Sequence, residues 1–261
     1  MRTVALRRAV RRARYVAFAL GLLLSVASPA FADPACPETP PMPAIELPHL
    51  RSALSHGMQG VIVALGSSST QGSMASDPAH SYPAVLQHLL ESALTQDHVV
   101  VLNRGIGGQD AAEELARLDT DVIALRPQAV IWQVGANGTL RKSDPALFRS
   151  LVTGGVQRLQ AAGIDVVLMD NQQSPRLLAV SGEPLIDQAL ADVAADTGAT
   201  LFSRRMLMRA WQHEGAPLTD FIAADGLHHN DHGYRCVAEA LARSILGGLE
   251  PGRPVTAQLT P

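Results

Sequence analysis

The sequence predicts an α/β protein in which helices cover both faces of a parallel sheet, giving a three-layer sandwich. Short apolar, β-branched runs alternate with segments of helical periodicity, which is the pattern of repeated strand–helix–strand units. The first three predicted strands each lead into a turn of glycines and small polar residues. Because the carboxyl ends of parallel strands share one edge of a sheet, we expect these turns to meet there and to form one site.

Five strands are predicted, and the first is the apolar run that breaks at Gly66. The five runs cover residues 61–65, 99–102, 129–134, 164–169 and 199–202. Helical spacing of apolar residues predicts helices at 82–90, 111–124, 145–162, 184–197 and 233–246. Asp144 is the predicted N-cap of the third of these helices, with Pro145 in its first turn. The polar segments at 73–81, 170–176 and 205–220 are predicted to be loops that shape the substrate pocket.

Residues 1–32 have the three parts of a secretory signal peptide. Arginines crowd the start, an apolar run follows at 15–24, and Ala30-Phe31-Ala32 matches an A-x-A cleavage site. An uncleaved membrane anchor is the alternative, although the apolar run is short for a membrane span. We therefore expect cleavage after Ala32, a periplasmic or secreted protein, and no stable membrane anchor afterwards.

The mature chain is predicted to begin with an extended, proline-rich lead-in at 33–58, whose prolines end at Pro48. A single domain follows at 59–250, and residues 251–261 form a tail. Cys36 and Cys236 are the only two cysteines. Their even number and an oxidising compartment favour one disulfide between them, with two unpaired thiols as the alternative.

Composition limits the choice of partners and leaves room for a large core. Apolar residues make up 47% of the chain, which is ample for one α/β domain. The net charge is −3, and the basic residues beyond the amino terminus are scattered. This charge distribution argues against a nucleic-acid partner.

A serine, a histidine and a carboxylate occur in positions that suit acyl transfer. The sequence GSSST at 66–70 directly follows the first strand, and Asp225 precedes His228 by three residues just before the last predicted helix. A serine hydroxyl is a poor nucleophile unless a base stands beside it, and a carboxylate can orient that base.

These motifs resemble the four blocks of the SGNH (GDSL-type) hydrolases, in the order of that family and across nearly the whole predicted domain. The GSSST run is similar to Gly-Asp-Ser-x-Thr and would make Ser68 the nucleophile. The run NRGIGG at 103–108 is similar to the second block, which supplies the Gly108 amide. GANG at 135–138 is similar to Gly-x-Asn-Asp and supplies Asn137, and Asp225 with His228 matches the final Asp-x-x-His.

The resemblance implies a flavodoxin-like SGNH fold and a serine esterase that needs no metal or other cofactor, and the signal peptide predicts that this esterase is exported. His228 would take the proton of Ser68, and Asp225 would orient the imidazole. The amides of Ser68 and Gly108, with the side chain of Asn137, would form the oxyanion hole. The substrate would be a small-molecule or saccharide ester. A periplasmic acyltransferase acting on a saccharide and a non-catalytic carbohydrate-binding protein are the alternatives.

Two residues depart from the family pattern, because Ser67 and Gly138 stand where the family has aspartates. The serine run also leaves Ser67 and Ser69 open as nucleophiles. Asp77 and His80 form a second Asp-x-x-His, but in the loop right after the nucleophile.

Other readings of these segments are weaker. The NRGIGG turn lacks the G-x-G-x-x-G spacing of a dinucleotide site. The group His228, His229, Asp231 and His232 could hold a metal, yet the last helix is predicted to begin only after it. His229 and His232 are therefore predicted to lie at the surface or in a loop, and Trp132 in the core.

Overall fold

The computed structural model describes residues 34–94 and 98–249 and shows an α/β fold on a five-stranded sheet. The strands are β1 (Gly60–Gly66), β2 (Val99–Gly105), β3 (Ala129–Gln133), β4 (Asp165–Met169) and β5 (Thr200–Phe202). All the strand pairs are parallel, and the order across the sheet is β2-β1-β3-β4-β5. The predicted α/β fold with five parallel strands is therefore confirmed.

Helices connect the strands. In the described part of the chain they are α1 (Pro48–Ser55), α2 (Ser68–Gln71), α3 (Tyr82–Ala93), α4 (Ala111–Ala116), α5 (Leu118–Asp121), α6 (Ala136–Arg141), α7 (Pro145–Ala161), α8 (Pro175–Leu178), α9 (Glu183–Thr197), α10 (Arg204–His213) and α11 (Asp231–Leu249). Asp144 caps α7 as predicted, since its Oδ1 accepts the Ala146 N–H at 2.9 Å.

The sheet is buried on both faces, which explains why its strands are almost continuously apolar. Ile62 and Ala64 of β1 pack into a core with α3, α10 and α11. Val63 and Leu65 point to the opposite face and pack with α7 and α9. The alternation of side chains along one strand thus supplies both cores, and the three layers hold the carboxyl ends of the strands at one edge.

The lead-in is extended only as far as Leu47, whereas the sequence predicted an extended segment up to residue 58. Helix α1 begins at Pro48, a position where proline suits the first turn of a helix. The segment before it packs along α11, where the Ile45 N–H donates to the Ser244 carbonyl at 2.9 Å. Cys36 and Cys236 form the predicted disulfide, with their Cα atoms 5.4 Å apart.

Two further segments differ from the prediction. The helix predicted at 111–124 is divided into α4, α5 and a short 3-10 turn. Most of the predicted 205–220 loop belongs to α10, in which Leu207, Met208 and Trp211 are buried on one face. Ser203 caps this helix by accepting the Met206 N–H at 3.1 Å. Burial of an apolar stripe stabilises a helix even when its other face is strongly basic.

Some predictions lie outside the described residues. These are the signal peptide with its cleavage site and the tail at 251–261. Residues 95–97 also lie outside the described part of the chain. Within the part of the chain that the structure does describe, no helix is both long and apolar enough to span a bilayer.

Candidate active site

Ser68 lies at the carboxyl end of β1, in the first turn of α2. The sharp exit from the strand leaves Ser68 partly exposed, while Ser67 and Ser69 are each only 2% exposed. The Ser67 hydroxyl also donates to the Gln133 Oε1 at 3.3 Å. Of the three serines that the sequence left open, Ser68 is therefore the one that can reach a substrate.

His228 and Asp225 meet Ser68 across 160 residues of chain. His228 Nε2 lies 2.8 Å from Ser68 Oγ, and His228 Nδ1 lies 2.5 Å from Asp225 Oδ2. Asp225 Oδ1 accepts the N–H groups of Leu227 and His228, both at 3.0 Å. The arrangement has the connectivity of an acyl-transfer triad.

The hydrogen bonds around Asp225 favour its ionised form. Partial burial by itself raises the pKa of a carboxyl group, but here it is outweighed. The Leu227 amide, then the His228 ring and the His228 amide, bring the pKa of Asp225 below its ordinary value. A carboxylate that stays charged can stabilise a positively charged imidazole beside it.

The second Asp-x-x-His sequence takes no part in this arrangement. His80 Nδ1 lies 3.0 Å from the Ser76 hydroxyl and 3.6 Å from Asp231 Oδ2. Asp77 caps a short turn by accepting the Ala79 N–H. These contacts tie the loop after α2 to the start of α11.

The turn after β2 leaves one backbone donor available. The other N–H groups of this turn all have acceptors. The Gly105 N–H donates to Asn103 Oδ1 (2.9 Å), and the Ile106 N–H donates to the Gly66 carbonyl (3.0 Å). The Gly107 N–H donates to Gln71 Oε1 (3.0 Å), and the Gln109 N–H donates to the Ile106 carbonyl (3.4 Å). Among the described residues, no acceptor lies on the N–H of Gly108 or of Ser68. Gly108 has φ +82°, a conformation that glycine adopts readily.

Asn137 is held beside this turn by helix α6. Its Nδ2 donates to the Gln109 carbonyl at 2.8 Å, which uses one of the two amide hydrogens. The structure thus brings all five residues of the predicted site to the same edge of the sheet. An oxyanion needs such preorganised donors.

Gln133 supports the nucleophile turn, a role that the sequence motifs did not predict. Its Oε1 accepts the Ser67 N–H and the Thr70 hydroxyl, both at 3.2 Å. A buried glutamine at the end of the apolar run Ala129–Gln133 was the available signal. Ser67 stands where the SGNH family has an aspartate, and Gln133 provides the hydrogen-bond acceptor for both its N–H and its hydroxyl.

The exit loop of β4 supports the loop of Asp225 and His228. Gln172 Nε2 donates to the Leu227 carbonyl at 2.8 Å, and the Arg176 N–H donates to the Gly226 carbonyl at 3.0 Å. This exit loop is polar, as predicted, and its residues 170–174 are buried.

Two of the three segments expected to shape the substrate pocket line a cavity of about 680 Å³ beside the Asp225 loop. Pro175 comes from the exit loop of β4, and Leu218 and Thr219 come from the segment after α10. The cavity is also lined by Ile222, Ala223, Ala224, Gly226 and Asn230, so its wall is mostly apolar.

His229 lies in the loop before α11, which is one of the two predicted positions, but it is fully buried and not at the surface. Its Nδ1 hydrogen-bonds to the Phe221 carbonyl, and burial, then the charge of Arg204, lower its pKa to about 3. His232 lies in α11, stacked on Phe221 with the ring centroids 5.2 Å apart. The prediction of a surface or loop position is wrong for His232 because α11 begins two residues earlier than predicted, at Asp231, and so includes it.

The histidines after Asp225 do not form the hypothetical metal cluster. His228 is engaged with Ser68 and Asp225, while His232 lies beside Cys236, 3.7 Å from its Sγ. Cys36 and Cys236 adjoin His232, but their sulfurs are joined to each other.

A doubly covered parallel sheet with this serine, histidine and aspartate at its carboxyl edge defines an SGNH-type hydrolase fold. The family model that describes the non-GDSL lipase-like family matches residues 35–251. The chain therefore belongs to the non-GDSL lipase-like family. This membership confirms the predicted class of protein and agrees with an ester hydrolase.

Solved structures share this fold at low sequence identity. TesA is 23% identical, with a TM-score of 0.61 over 73% of this chain and 99% of that chain. The acetylxylan esterase Axe2 from Geobacillus stearothermophilus is 19% identical, with a TM-score of 0.62 over 74% and 97%. CEX, a two-domain esterase active on acetylated mannans, is 22% identical, with a TM-score of 0.68 over 82% of this chain and 56% of that chain. No curated protein sequence is significantly similar to this chain.

Proposed function

We propose that this chain is an exported serine esterase that cleaves a carboxylic ester through an acyl-enzyme intermediate. The observation that carries the proposal is the series of contacts from Ser68 Oγ to His228 Nε2 (2.8 Å) and from His228 Nδ1 to Asp225 (2.5 Å). A histidine held between a hydroxyl and a carboxylate can take the proton of the hydroxyl as the hydroxyl attacks.

In the first step, Ser68 Oγ attacks the ester carbonyl carbon while His228 takes the serine proton. The oxygen that becomes negative accepts hydrogen bonds from the Ser68 and Gly108 amides and the Asn137 side chain. His228 then gives its proton to the leaving alcohol, and the acyl group remains on Ser68. A water molecule, deprotonated by His228, attacks this acyl group; the bond to Ser68 Oγ breaks, His228 returns the proton to Ser68, and the carboxylic acid leaves.

We propose an acetylated saccharide as the substrate class to test first. Axe2 is an acetylxylan esterase and CEX acts on acetylated mannans, and both share the fold of this chain. The same site would serve an acyltransferase, in which a sugar hydroxyl replaces water in the second step. A non-catalytic carbohydrate-binding protein is the remaining alternative.

Export is proposed from the amino-terminal sequence, and the disulfide supports it. Cys36 and Cys236 are bonded, and such bonds persist mainly in oxidising compartments. The mature protein is expected to begin at Asp33, three residues before Cys36. Amino-terminal sequencing of the protein purified from its host tests this, and a chain that begins at Met1 or Arg2 would contradict it.

The catalytic proposal is tested with p-nitrophenyl acetate, p-nitrophenyl butyrate and acetylated xylooligosaccharides. We expect the purified mature domain to hydrolyse at least one ester, Ser68→Ala to abolish the activity, and Ser69→Ala to retain it. Activity that survives Ser68→Ala would reject Ser68 as the nucleophile. Transfer of the acetyl group to an added saccharide would identify an acyltransferase. Saccharide binding without turnover by the parent protein would favour a binding role.

A further inference from the structure

The helix that carries Asn137 holds the Gly108 turn at two points. Asn137 and Arg141 are four residues apart on α6, so their side chains project from the same face. Asn137 Nδ2 donates to the Gln109 carbonyl, and Arg141 Nη2 donates to the Gly108 carbonyl, each at 2.8 Å. One helix face thus binds two consecutive carbonyls of the turn.

Arg141 is itself fixed in place by the start of α4. Its Nη1 lies 2.5 Å from Asp110 Oδ2 and 3.1 Å from Glu113 Oε2. Asp110 and Glu113 form the capping box of α4, which begins directly after the turn. A planar guanidinium can make such directed bonds at several points, which an ammonium group cannot do with the same geometry.

Gly108 needs this support because no side-chain packing restrains it. A Cβ added at Gly108 would have no atom within 4 Å, so the space on that side of its Cα is open. Glycine also lacks the steric limits that confine other residues to one backbone conformation. Hydrogen bonds must therefore hold the Gly108 backbone at φ +82°, and Arg141 supplies the one on its carbonyl.

We propose that Arg141 is a positioning residue that holds the 108–109 peptide plane through the Gly108 carbonyl and thereby restrains the backbone angles of Gly108, so that the Gly108 N–H, on the preceding peptide plane, faces the developing oxyanion. The inference rests on the proposed function, since it assigns Gly108 as an oxyanion donor. Arg141 does not touch the reacting atoms. It acts through the carbonyl of Gly108, and it lies on the same face of α6 as Asn137, which bonds the next carbonyl of the turn.

The effect is expected mainly in kcat. Complete loss of one oxyanion donor costs about 10²–10³-fold in kcat. A donor that is present but less well oriented should lose part of that, so Arg141→Met is expected to lower kcat about 10- to 100-fold. KM should stay within about twofold, because the donor acts in the transition state rather than on the bound ester.

Arg149→Met is the matched control. Arg149 is also a half-exposed arginine in an ion pair, with side-chain exposure of 46% against 49% for Arg141. It lies on α7 and bonds to Asp196. We expect kcat for p-nitrophenyl acetate to fall in Arg141→Met and to stay at the parent value in Arg149→Met, with equal unfolding midpoints. Equal kcat values in the two variants would overturn the proposal.

Arg141→Lys separates geometry from charge. Lysine keeps the positive charge but cannot reproduce the fork between the Gly108 carbonyl and the two carboxylates, so we expect kcat to stay well below that of the parent. A lysine variant with the full kcat of the parent would overturn the positioning role.

A second measurement is independent of turnover. Hydrogen–deuterium exchange of the segment 105–110 is expected to be faster in Arg141→Met than in Arg149→Met and the parent. If the parent hydrolyses no ester, the proposed function fails, and exchange still decides whether Arg141 orders the turn. Unchanged exchange in that segment would overturn the inference whether or not the protein is an esterase.

Discussion

Gly105→Ala tests whether the close approach of β2 to the nucleophile helix sets the geometry of the site. A Cβ at Gly105 would lie 2.1 Å from the Gln71 nitrogen and 2.6 Å from the Thr70 carbonyl carbon. Ordinary contacts of a Cβ begin at 3.4 Å, and both of these neighbours are backbone atoms of α2. The end of β2 and α2 must therefore separate by more than 1 Å.

Two magnitudes follow from this separation. Strand β2 is at the edge of the sheet and can move outward, so the free energy of unfolding should fall by only about 1–3 kcal/mol, the usual range for overpacking. The donor at Gly108 lies in the turn that follows β2, whereas Ser68 lies in α2. A misplacement of ~1 Å can cost ~10²-fold in rate, so we expect the activity to fall by about that factor.

The assay pairs kcat/KM for p-nitrophenyl acetate with urea unfolding of the same variant. Gly154→Ala is the control, because a Cβ at Gly154 meets no atom within 4 Å. In the middle of α7 it should gain roughly 1 kcal/mol of stability and leave the activity unchanged. A folded Gly105→Ala protein with kcat/KM within about threefold of the parent would show that the close approach of β2 to α2 does not set the geometry of the site.

Three further predictions concern the triad and buried acids. Asp225→Asn should lower kcat about 10⁴-fold, because an amide facing His228 Nδ1 favours the wrong tautomer; a loss of less than tenfold in steady-state assays would contradict this. Glu114→Gln should stabilise the protein, because burial raises the pKa of Glu114 well above its usual range while its Oε2 accepts the Trp132 indole N–H at 2.8 Å. A glutamine keeps that acceptor, so the gain in Tm over the parent should be larger at pH 8 than at pH 5, and a lower Tm at pH 8 would be the contrary result. Asp170→Asn should make the protein more sensitive to acid. Burial raises the pKa of Asp170 to about 6, so the folded state gains stability from this group as the pH falls from 6 towards 4. The buried His229, with its pKa near 3, acts in the opposite direction below its unfolded pKa of about 6.5. Between pH 7 and pH 4 the stability of the variant relative to the parent should therefore fall by up to about 3 kcal/mol, and urea unfolding with the same pH slope as the parent would argue against this.

The strands were predictable because burial on both faces requires short, continuous apolar runs. All five predicted runs coincide with the observed strands to within a few residues. Helix α10 was not predicted, although its apolar residues recur at helical spacing. Its basic side chains resemble those of a surface loop, and the helix is stabilised by burial of Leu207, Met208 and Trp211.

The choice among the candidate site residues needed contacts that are distant in the sequence. The bond between Ser68 and His228 spans 160 residues, and the Asp-x-x-His spacing alone does not distinguish His228 from His80; the position of His228 before the last helix favoured it, and the contact itself needs the folded chain. Exposure distinguishes Ser68 from Ser67 and Ser69, and exposure follows from the turn between β1 and α2.

The class of the fold and the motifs at the ends of the strands could be predicted from the sequence, because periodicity and glycine-rich turns are local properties. The tertiary structure alone decided which members of those motifs meet and what holds them there. Gln133 under the nucleophile, Gln172 under the histidine loop and Arg141 behind Gly108 bond to partners on other elements. Such bonds depend on the packing of the whole chain, since a side chain's partner is chosen by proximity in space and not by its neighbours in the sequence.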